Sequence, residues 1–240
     1  MSYIVTGIDV HKKMLVVVVA DAAVQELVFE CRLFGAGASE LERLRAWLRH
    51  LGVEEVVMES TAQYWKPVWL ALEPHFKLNL AQAQSNRAPK GRKTDFRDSQ
   101  RLVRRFIAGE LILSFVPNAE QREMRTVTRR RVQLSRDKVR LQSQMECLLE
   151  ECRIKLSSVI SDLLGASGKR ILAAIAAGES DSAKLAALGD DRLKCTREQL
   201  QDAVTGTPTP VHRELLRMCL EQLTLIERQM HDEIVPTLAR

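Results

Sequence analysis

The sequence lacks any long apolar segment. Its longest apolar runs, residues 14–20 and 171–177, contain seven residues each, whereas a helix needs roughly 20 to cross a bilayer. Acidic Asp9 interrupts the apolar residues near the start, and no small-residue cleavage site follows, so no secretory signal is predicted. We therefore expect no membrane association and a cytoplasmic location.

Cysteine pairs with metal-site or redox spacing are also absent. The five cysteines form no C-x-x-C pair, and their odd number does not suit a closed disulfide framework. This pattern argues against a zinc site and favours reduced thiols inside a cell.

Aromatic residues are absent from the last 125 positions, since all 11 lie at or before Phe115. Charge is uneven too. The chain has a net charge of +5, but residues 87–140 contain 16 basic and 6 acidic side chains, while the rest of the chain is net acidic. These asymmetries predict two different regions, and the basic stretch predicts a polyanionic partner such as nucleic acid.

The first region alternates between strand and helix periodicity. We expect Ser39 to begin the first helix in a capping box with Glu42, and Gly52 to end it. The resulting order, β-β-β-α-β-α-β-α, is that of the RNase H-like fold, an α/β fold with a mixed sheet and flanking helices. We assign residues 1–116 to this domain, with strands over 3–10, 13–20, 24–33, 53–58 and 76–80, and helices over 39–51, 65–72 and 99–108, the last starting near Asp95.

Pro117 marks the start of a different region. Residues 118–156 contain neither Gly nor Pro, and apolar residues recur every seven positions, although Arg131 and Lys138 occupy the second seam. We predict an all-α coiled-coil arm over residues 117–240, with long helices about 118–156 and 211–235 and a small helical insert between them. Such a half-apolar seam also favours pairing with another copy, as a homodimer or higher homo-oligomer. The heptad positions are Val127, Leu134, Leu141 and Leu148.

Four acidic residues are placed where chemistry is expected. Asp9 lies in an apolar first strand, Glu59 ends a buried strand, and Asp95 and Asp98 share one face of the helix that they open. Carboxylates brought together need divalent cations, and two Mg²⁺ ions can clamp the attacking and leaving oxygens of a phosphodiester. The alternatives are an edge-strand charge for Asp9, a solvent-facing turn for Glu59, and helix-terminal surface acids for the other two.

Basic residues surround this acidic set. A metal site inside a basic belt suits a substrate whose phosphates must be held, although a solvated charged face is the alternative. Predicted nucleic-acid contacts come from the first turn, the belt and the arm: His11, Lys12, Arg87, Lys90, Arg92, Lys93, Arg97, Arg101, Arg104, Arg105, Arg129, Arg130 and Arg131.

Three motifs carry a family resemblance: GIDVHK at residues 7–12, MEST at 58–61 and KTDFRDS at 93–99. In this order they resemble the DEDD insertion-sequence transposases, which are bridge-RNA-guided, serine-dependent recombinases with a domain like a Holliday-junction resolvase. SFVP at 114–117 and GASGKR at 165–170 resemble the same family. The resemblance implies Asp9, Glu59, Asp95 and Asp98 as a catalytic tetrad binding Mg²⁺, with DNA and a guide RNA as partners.

The resemblance also has a departure. Family members continue into a carboxy-terminal domain with a nucleophilic serine, whereas this sequence ends at Arg240. We therefore expect a fragment or truncated copy, and we do not assign Ser167 of the helical insert as that nucleophile. Two alternatives remain: a free-standing Mg²⁺-dependent nuclease or junction resolvase, and a non-catalytic nucleic-acid-binding dimerisation module. A kinase-like ATPase would need Gly-rich phosphate loops, which the sequence does not contain.

Overall fold

The computed structural model describes residues 2–59, 62–83 and 95–234, apart from the side chains of Asp95 and Glu233. The chain forms two compact units, Met1–Pro117 and Asn118–Arg240. The first unit contains β1 (Ile4–Val10), β2 (Met14–Asp21), β3 (Glu30–Gly35), α1 (Ala38–His50), β4 (Glu55–Glu59), α2 (Trp65–Leu72), β5 (Lys77–Ala81), α3 (Asp95–Ile107) and β6 (Leu113–Ser114). The second contains α4 (Ala119–Glu151), α5 (Leu156–Val159), α6 (Ala166–Ala176), α7 (Ser182–Ala186), α8 (Arg197–Ala203), α9 (Pro210–Arg228) and a π-helical segment, Gln229–Ile234.

Within the described residues, six strands form one sheet in the order β3-β2-β1-β4-β5-β6. The first three strands form an antiparallel meander. Strands β4 and β5 continue the sheet parallel to β1, and β6 pairs antiparallel with β5. A meander followed by parallel strands with helices between them is the RNase H-like arrangement, so the predicted α/β fold is confirmed.

Helices cover both faces of the sheet. On one face, Ile8 and Met58 belong to a core that includes Leu44 of α1 and Leu72 of α2. On the other face, α3 packs across β1, β2 and β4. Successive strand residues point to opposite faces of the sheet. A strand residue that packs on α1 or α2 therefore lies on one face, and a residue that packs on α3 lies on the other.

The start of α1 differs from the prediction. Its N-cap is Gly37, without a side-chain cap, so the capping box of Ser39 and Glu42 is wrong. Instead, the Glu40 carboxylate accepts a hydrogen bond from the Gly35 amide at 3.2 Å and pairs with Arg43. These bonds lower the pKa of Glu40. The acid in the first turn thus ties the helix to the preceding strand, and its negative charge is favourable near the helix N-terminus.

The two ends of the sheet also differ from the prediction. The third strand was expected from residue 24 but begins at Glu30, because Asp21 Oδ1 accepts hydrogen bonds from the amides of Tyr3 and Ala23 and turns the chain away. The short strand β6 was not predicted, since two residues carry no periodicity.

The second unit is built on two long antiparallel helices. His212, near the start of α9, contacts Glu151 at the end of α4. Glu227, near the end of α9, contacts Lys138 in the middle of α4. Helix α9 begins with a capping box formed by Thr209 and His212. No helix within the described ranges is long and apolar enough to cross a membrane.

The seam of α4 is packed along only half of its length. Leu134 and Leu141 of the expected heptad are buried, whereas Val127 and Leu148 are half-buried and Leu149 is buried beside them. The helix ends earlier than expected, at Glu151, because Arg153 adopts a left-handed backbone with φ +63°. Near the end of the helix, the buried position is Leu149 and not the heptad position Leu148, so the packing shifts by one residue there.

Candidate functional site

Asp9 lies near the carboxyl end of β1, on the face that α3 covers. Its neighbours Ile8 and Val10 pack into the core beneath α1 and α2, so Asp9 points to the opposite face. Its side chain is mostly covered, and Asp9 Oδ2 lies 3.2 Å from Nε2 of His11. Nε2 of His11 makes no hydrogen bond within the described residues. Its contact with Asp9 is therefore a close approach without hydrogen-bond geometry.

Glu59 reaches the same edge of the sheet from β4. Strands β1 and β4 are parallel, with Ile8 paired to Met58, which makes Asp9 and Glu59 the next residues along two neighbouring strands. Val57 packs on Leu102 of α3, and Glu59, two residues later, shares its face. The parallel register therefore places these two residues at the same edge of the sheet.

The first turns of α3 lie over this edge. The Ser99 hydroxyl donates a hydrogen bond to the backbone carbonyl of Val16 at 3.0 Å and is fully buried. Val16 is the strand partner of Asp9. The start of α3 at Asp95 therefore lies toward the carboxyl ends of β1 and β4, where Asp98 also lies.

Asp98 is the predicted acid of α3 whose side chain the structure describes. Its carboxylate lies 3.4 Å from Arg101 one turn later, and both side chains are about three-quarters buried. The side chain of Asp95 lies outside the described residues. Of the predicted tetrad, the structure thus places three carboxylates, on three elements that meet at one sheet edge.

The donor set suits a hard cation, because carboxylate oxygens are the ligands that Mg²⁺ prefers. Among the side chains that the structure describes, no three His, Cys, Asp or Glu residues come close enough together to bind one ion. Asp95 would complete the predicted set, so the assignment of the tetrad stays a prediction.

Two residues that position this site were not singled out from the sequence. A Cβ atom added to Gly7 would lie 2.6 Å from Cγ2 of Val103 and 2.9 Å from the carbonyl oxygen of Ser99. Gly7 therefore lets α3 approach β1 closely, and Ser99 fastens the helix to β2. Both residues lie in the sequence motifs, Gly7 two positions before Asp9 and Ser99 directly after Asp98. They were not selected because neither side chain is charged.

The predicted basic residues of the first unit are held to different degrees. Lys12 is exposed in the β1–β2 turn, and Arg97 is exposed on α3. Arg104 stacks on the ring of Phe29 at 4.8 Å, and Arg105 pairs with Glu110 at 3.1 Å. Four predicted contacts lie outside the described residues: Arg87, Lys90, Arg92 and Lys93.

The predicted basic residues of the second unit lie on the unpacked half of α4. Arg129, Arg130 and Arg131 are all exposed, and Arg130 donates a hydrogen bond to Gln229 at 3.2 Å. From residue 119 to residue 133 every side chain is exposed except Arg122 and Val127, which are half-buried. This half-helix offers positive charge on several sides.

Comparison with known proteins gives a family and a fold likeness. A family profile described as a DEDD transposase of the IS110 type matches residues 6–154, and no curated protein matches the chain. Among solved structures, Thermus thermophilus RuvC in complex with a Holliday junction substrate shows 11% identity and a TM-score of 0.34, covering 47% of this chain and 99% of that one. A second Thermus thermophilus RuvC structure shows 13% identity and a TM-score of 0.35, covering 46% and 99%. Likeness at this level identifies neither activity nor partner.

Proposed function

Because the chain belongs to the IS110-type DEDD transposase family, we propose that it takes part in DNA transposition as a metal-dependent recombinase guided by an RNA. The observation that carries this proposal is the meeting of Asp9, Glu59 and the start of α3 at one edge of the sheet. Asp95 and Asp98 open that helix. Backbone topology brings the three elements that carry these acids to the same edge, which a scatter of surface charges would not require.

In this proposal the four acids hold divalent cations. Asp9 and Glu59 supply oxygens from the rigid sheet, and Asp95 and Asp98 supply them from the first turn of α3. Bound Mg²⁺ would neutralise charge on the scissile phosphate and on the departing oxygen. Ser99 and Gly7 act indirectly, since they fix the distance between helix and sheet.

Basic side chains bind the polyanions. Lys12 and Arg97 are exposed close in sequence to Asp9 and Asp98, and we assign them to phosphates of the DNA. The exposed arginines of α4 suit the backbone of a structured guide RNA, because several phosphates can be neutralised along one helix. Arg87, Lys90, Arg92 and Lys93 join the DNA-binding set by sequence alone.

The remaining parts of the proposal concern the setting of the protein. We assign an intracellular location, where DNA and RNA are available, and self-association through the helical unit. Ser167 is not given a nucleophilic role, because it is buried and its Oγ accepts hydrogen bonds from the amide of Asp190 and from Arg170.

The test is metal-dependent cleavage of branched DNA by the purified chain, measured with and without a structured guide RNA and compared with Asp98→Asn. We expect the RNA to raise the rate. The matched control is Asp137→Asn on α4, since Asp137 also pairs with an arginine three residues later. We expect Asp98→Asn to lower the Mg²⁺-dependent rate by about 100-fold or more, because it removes a ligand charge from the site. Asp137→Asn should retain most of the rate. Equal rates for both variants would contradict the proposal.

The alternatives predict other results in the same assay. A free-standing resolvase cuts branched DNA with Mg²⁺ alone and gains nothing from RNA. A non-catalytic binding module retains all of its activities after Asp95→Asn, and its DNA affinity does not depend on the metal.

A further inference from the structure

His11 follows β1 and continues its alternation of side chains. Its backbone amide donates a hydrogen bond to the carbonyl of Met14 at 3.0 Å, one step beyond the last strand pair, Val10 and Leu15. The hairpin ladder therefore extends through His11, which comes two positions after Asp9. Because strand residues two apart point to the same face of the sheet, His11 lies on the face that carries Asp9.

The Nε2 atom of His11 is buried but has no hydrogen-bond partner within the described residues. Most buried polar atoms in native proteins are hydrogen-bonded, so each exception calls for an explanation such as a bound ion. The imidazole as a whole is 43% exposed, which leaves the ring room to turn toward a ligand. In a neutral imidazole the nitrogen without a proton has a lone pair that a metal ion can accept.

The distance between His11 and Asp9 matches the spacing of two metal ligands. Nε2 of His11 lies 3.2 Å from Oδ2 of Asp9. Adjacent ligands of an octahedral ion, each roughly 2.1 Å from it, are about 3 Å apart. The nitrogen and the oxygen can therefore contact one ion as neighbouring ligands after small adjustments of the two side chains.

We propose that His11 is a nitrogen ligand of the divalent cation at the edge formed by β1, β4 and α3. This inference rests on the proposed function, because it adds a ligand to the site that Asp9 helps to form. It gives His11 a role different from the nucleic-acid contact predicted from the sequence. Carboxylates suit Mg²⁺, whereas an imidazole ligand favours transition metals such as Co²⁺. The site should therefore bind Co²⁺ more tightly than a set of carboxylates alone would.

The first experiment detects the nitrogen directly, by electron spin echo envelope modulation of Mn²⁺ bound to the full chain. The chain is prepared with ordinary histidine and with isotopically labelled histidine. In the wild type the nitrogen modulation should change with the isotope, which assigns it to a histidine without the need for any variant. His11→Gln should still bind Mn²⁺ but lose the modulation.

His75→Gln is the matched control for this measurement. His75 precedes β5 and contacts Arg45. The first residue of β5 pairs with Glu55, at the start of β4, so His75 lies toward the opposite end of the parallel strands from the predicted metal site. His75→Gln should keep the wild-type modulation.

The second experiment measures Co²⁺ and Mg²⁺ affinities by competition with Mn²⁺ at one neutral pH. His11→Gln should weaken Co²⁺ binding at least about 10-fold and Mg²⁺ binding less than about 3-fold, because Co²⁺ gains more from a nitrogen ligand. His75→Gln should change neither affinity.

The outcomes separate this inference from the proposed function. Saturable Mn²⁺ binding without modulation from a histidine nitrogen would overturn the inference and leave the proposed function standing. A wild type that binds no divalent cation would contradict the proposed function and this inference together. Weaker DNA binding by His11→Gln, with Co²⁺ affinity and modulation unchanged, would return His11 to a phosphate contact and overturn the inference.

Discussion

Helices α3 and α4 belong to one basic stretch of the sequence but hold their arginines in different ways. On α3, Arg97 is exposed, but Arg104 lies on an aromatic ring and Arg105 is paired with an acid, while the opposite side of the helix is packed on the sheet. On the first half of α4, Arg129 and its neighbours are exposed on several sides. The difference teaches that net charge along a sequence does not distinguish arginines that neighbouring side chains hold from arginines that are exposed on several sides of a helix.

The largest effect should come from moving α3 off the sheet. Gly7→Ala places a Cβ atom 2.9 Å from the Ser99 carbonyl oxygen, and since backbone must move, we expect the first unit to lose about 1–3 kcal/mol of unfolding free energy. Amides of α3 should exchange faster, and those of α4 should not. Gly37→Ala is the control, because nothing lies within 4 Å of its added Cβ. Equal exchange in both variants would show that the close packing at Gly7 does not hold α3.

The next effect compares α4 with α3 by the salt dependence of their contribution to RNA affinity. Arg129→Gln should weaken RNA binding uniformly across sequences, and it should reduce the slope of log affinity against log salt by about 1. Arg105→Gln, at a side chain already held by Glu110, should change the slope by less. Filter-binding titrations from low to moderate salt measure both slopes. A larger change for Arg105→Gln would reverse the assignment of α4 as the exposed binding helix.

The smallest effect concerns the packed half of α4, where the seam residue Lys138 forms an ion pair with Glu227. Glu227 contacts Lys138 at 2.8 Å and Lys169 of α6. Burial opposes its ionisation, but hydrogen bonds from the two lysines lower its pKa. A lowered folded-state pKa contributes stability that is present above the unfolded value, near 4.3, and is lost as pH falls through the folded value.

Glu227→Gln should therefore lower the melting temperature at pH 7, and the difference from wild type should shrink as pH falls below the unfolded pKa near 4.3 and vanish once pH is below the folded-state pKa. Because the three side chains are about one-third exposed, the loss should stay under about 1 kcal/mol. Glu123→Gln, on the exposed half of α4, should show no such pH dependence. A difference that persists at acid pH would mean that shape, and not charge, explains the loss.

Much of this arrangement could be predicted from the sequence, and the limits have physical causes. The apolar alternation of β1 and the spacing of Leu41, Leu44 and Leu48 specify elements that bury one face, so the order of strands and helices was predictable. The start of α1 was not, because Glu40 reaches a strand amide that only the tertiary fold brings near. Gly7 and Ser99 were missed for the same reason, since their role depends on the helix packed against them.

The seam of α4 shows the same limit at longer range. Lys138 appeared as a defect in the heptad, whereas Glu227, 89 residues later, supplies the compensating charge. For the acidic set, the sequence placed Asp9 and Glu59 at strand ends that the parallel register of β1 and β4 brings to one edge, and the metal site itself stays a prediction. The sequence could not predict how closely their carboxylates approach one another.

The central claim is that the edge formed by β1, β4 and α3 binds divalent metal. The most direct measurement is Mn²⁺ binding to the purified chain, followed by electron paramagnetic resonance, for the wild type and Asp9→Asn. We predict saturable binding by the wild type and a loss of affinity of at least 10-fold in Asp9→Asn, with Asp137→Asn unchanged. Equal Mn²⁺ affinity in the wild type and Asp9→Asn would contradict the claim.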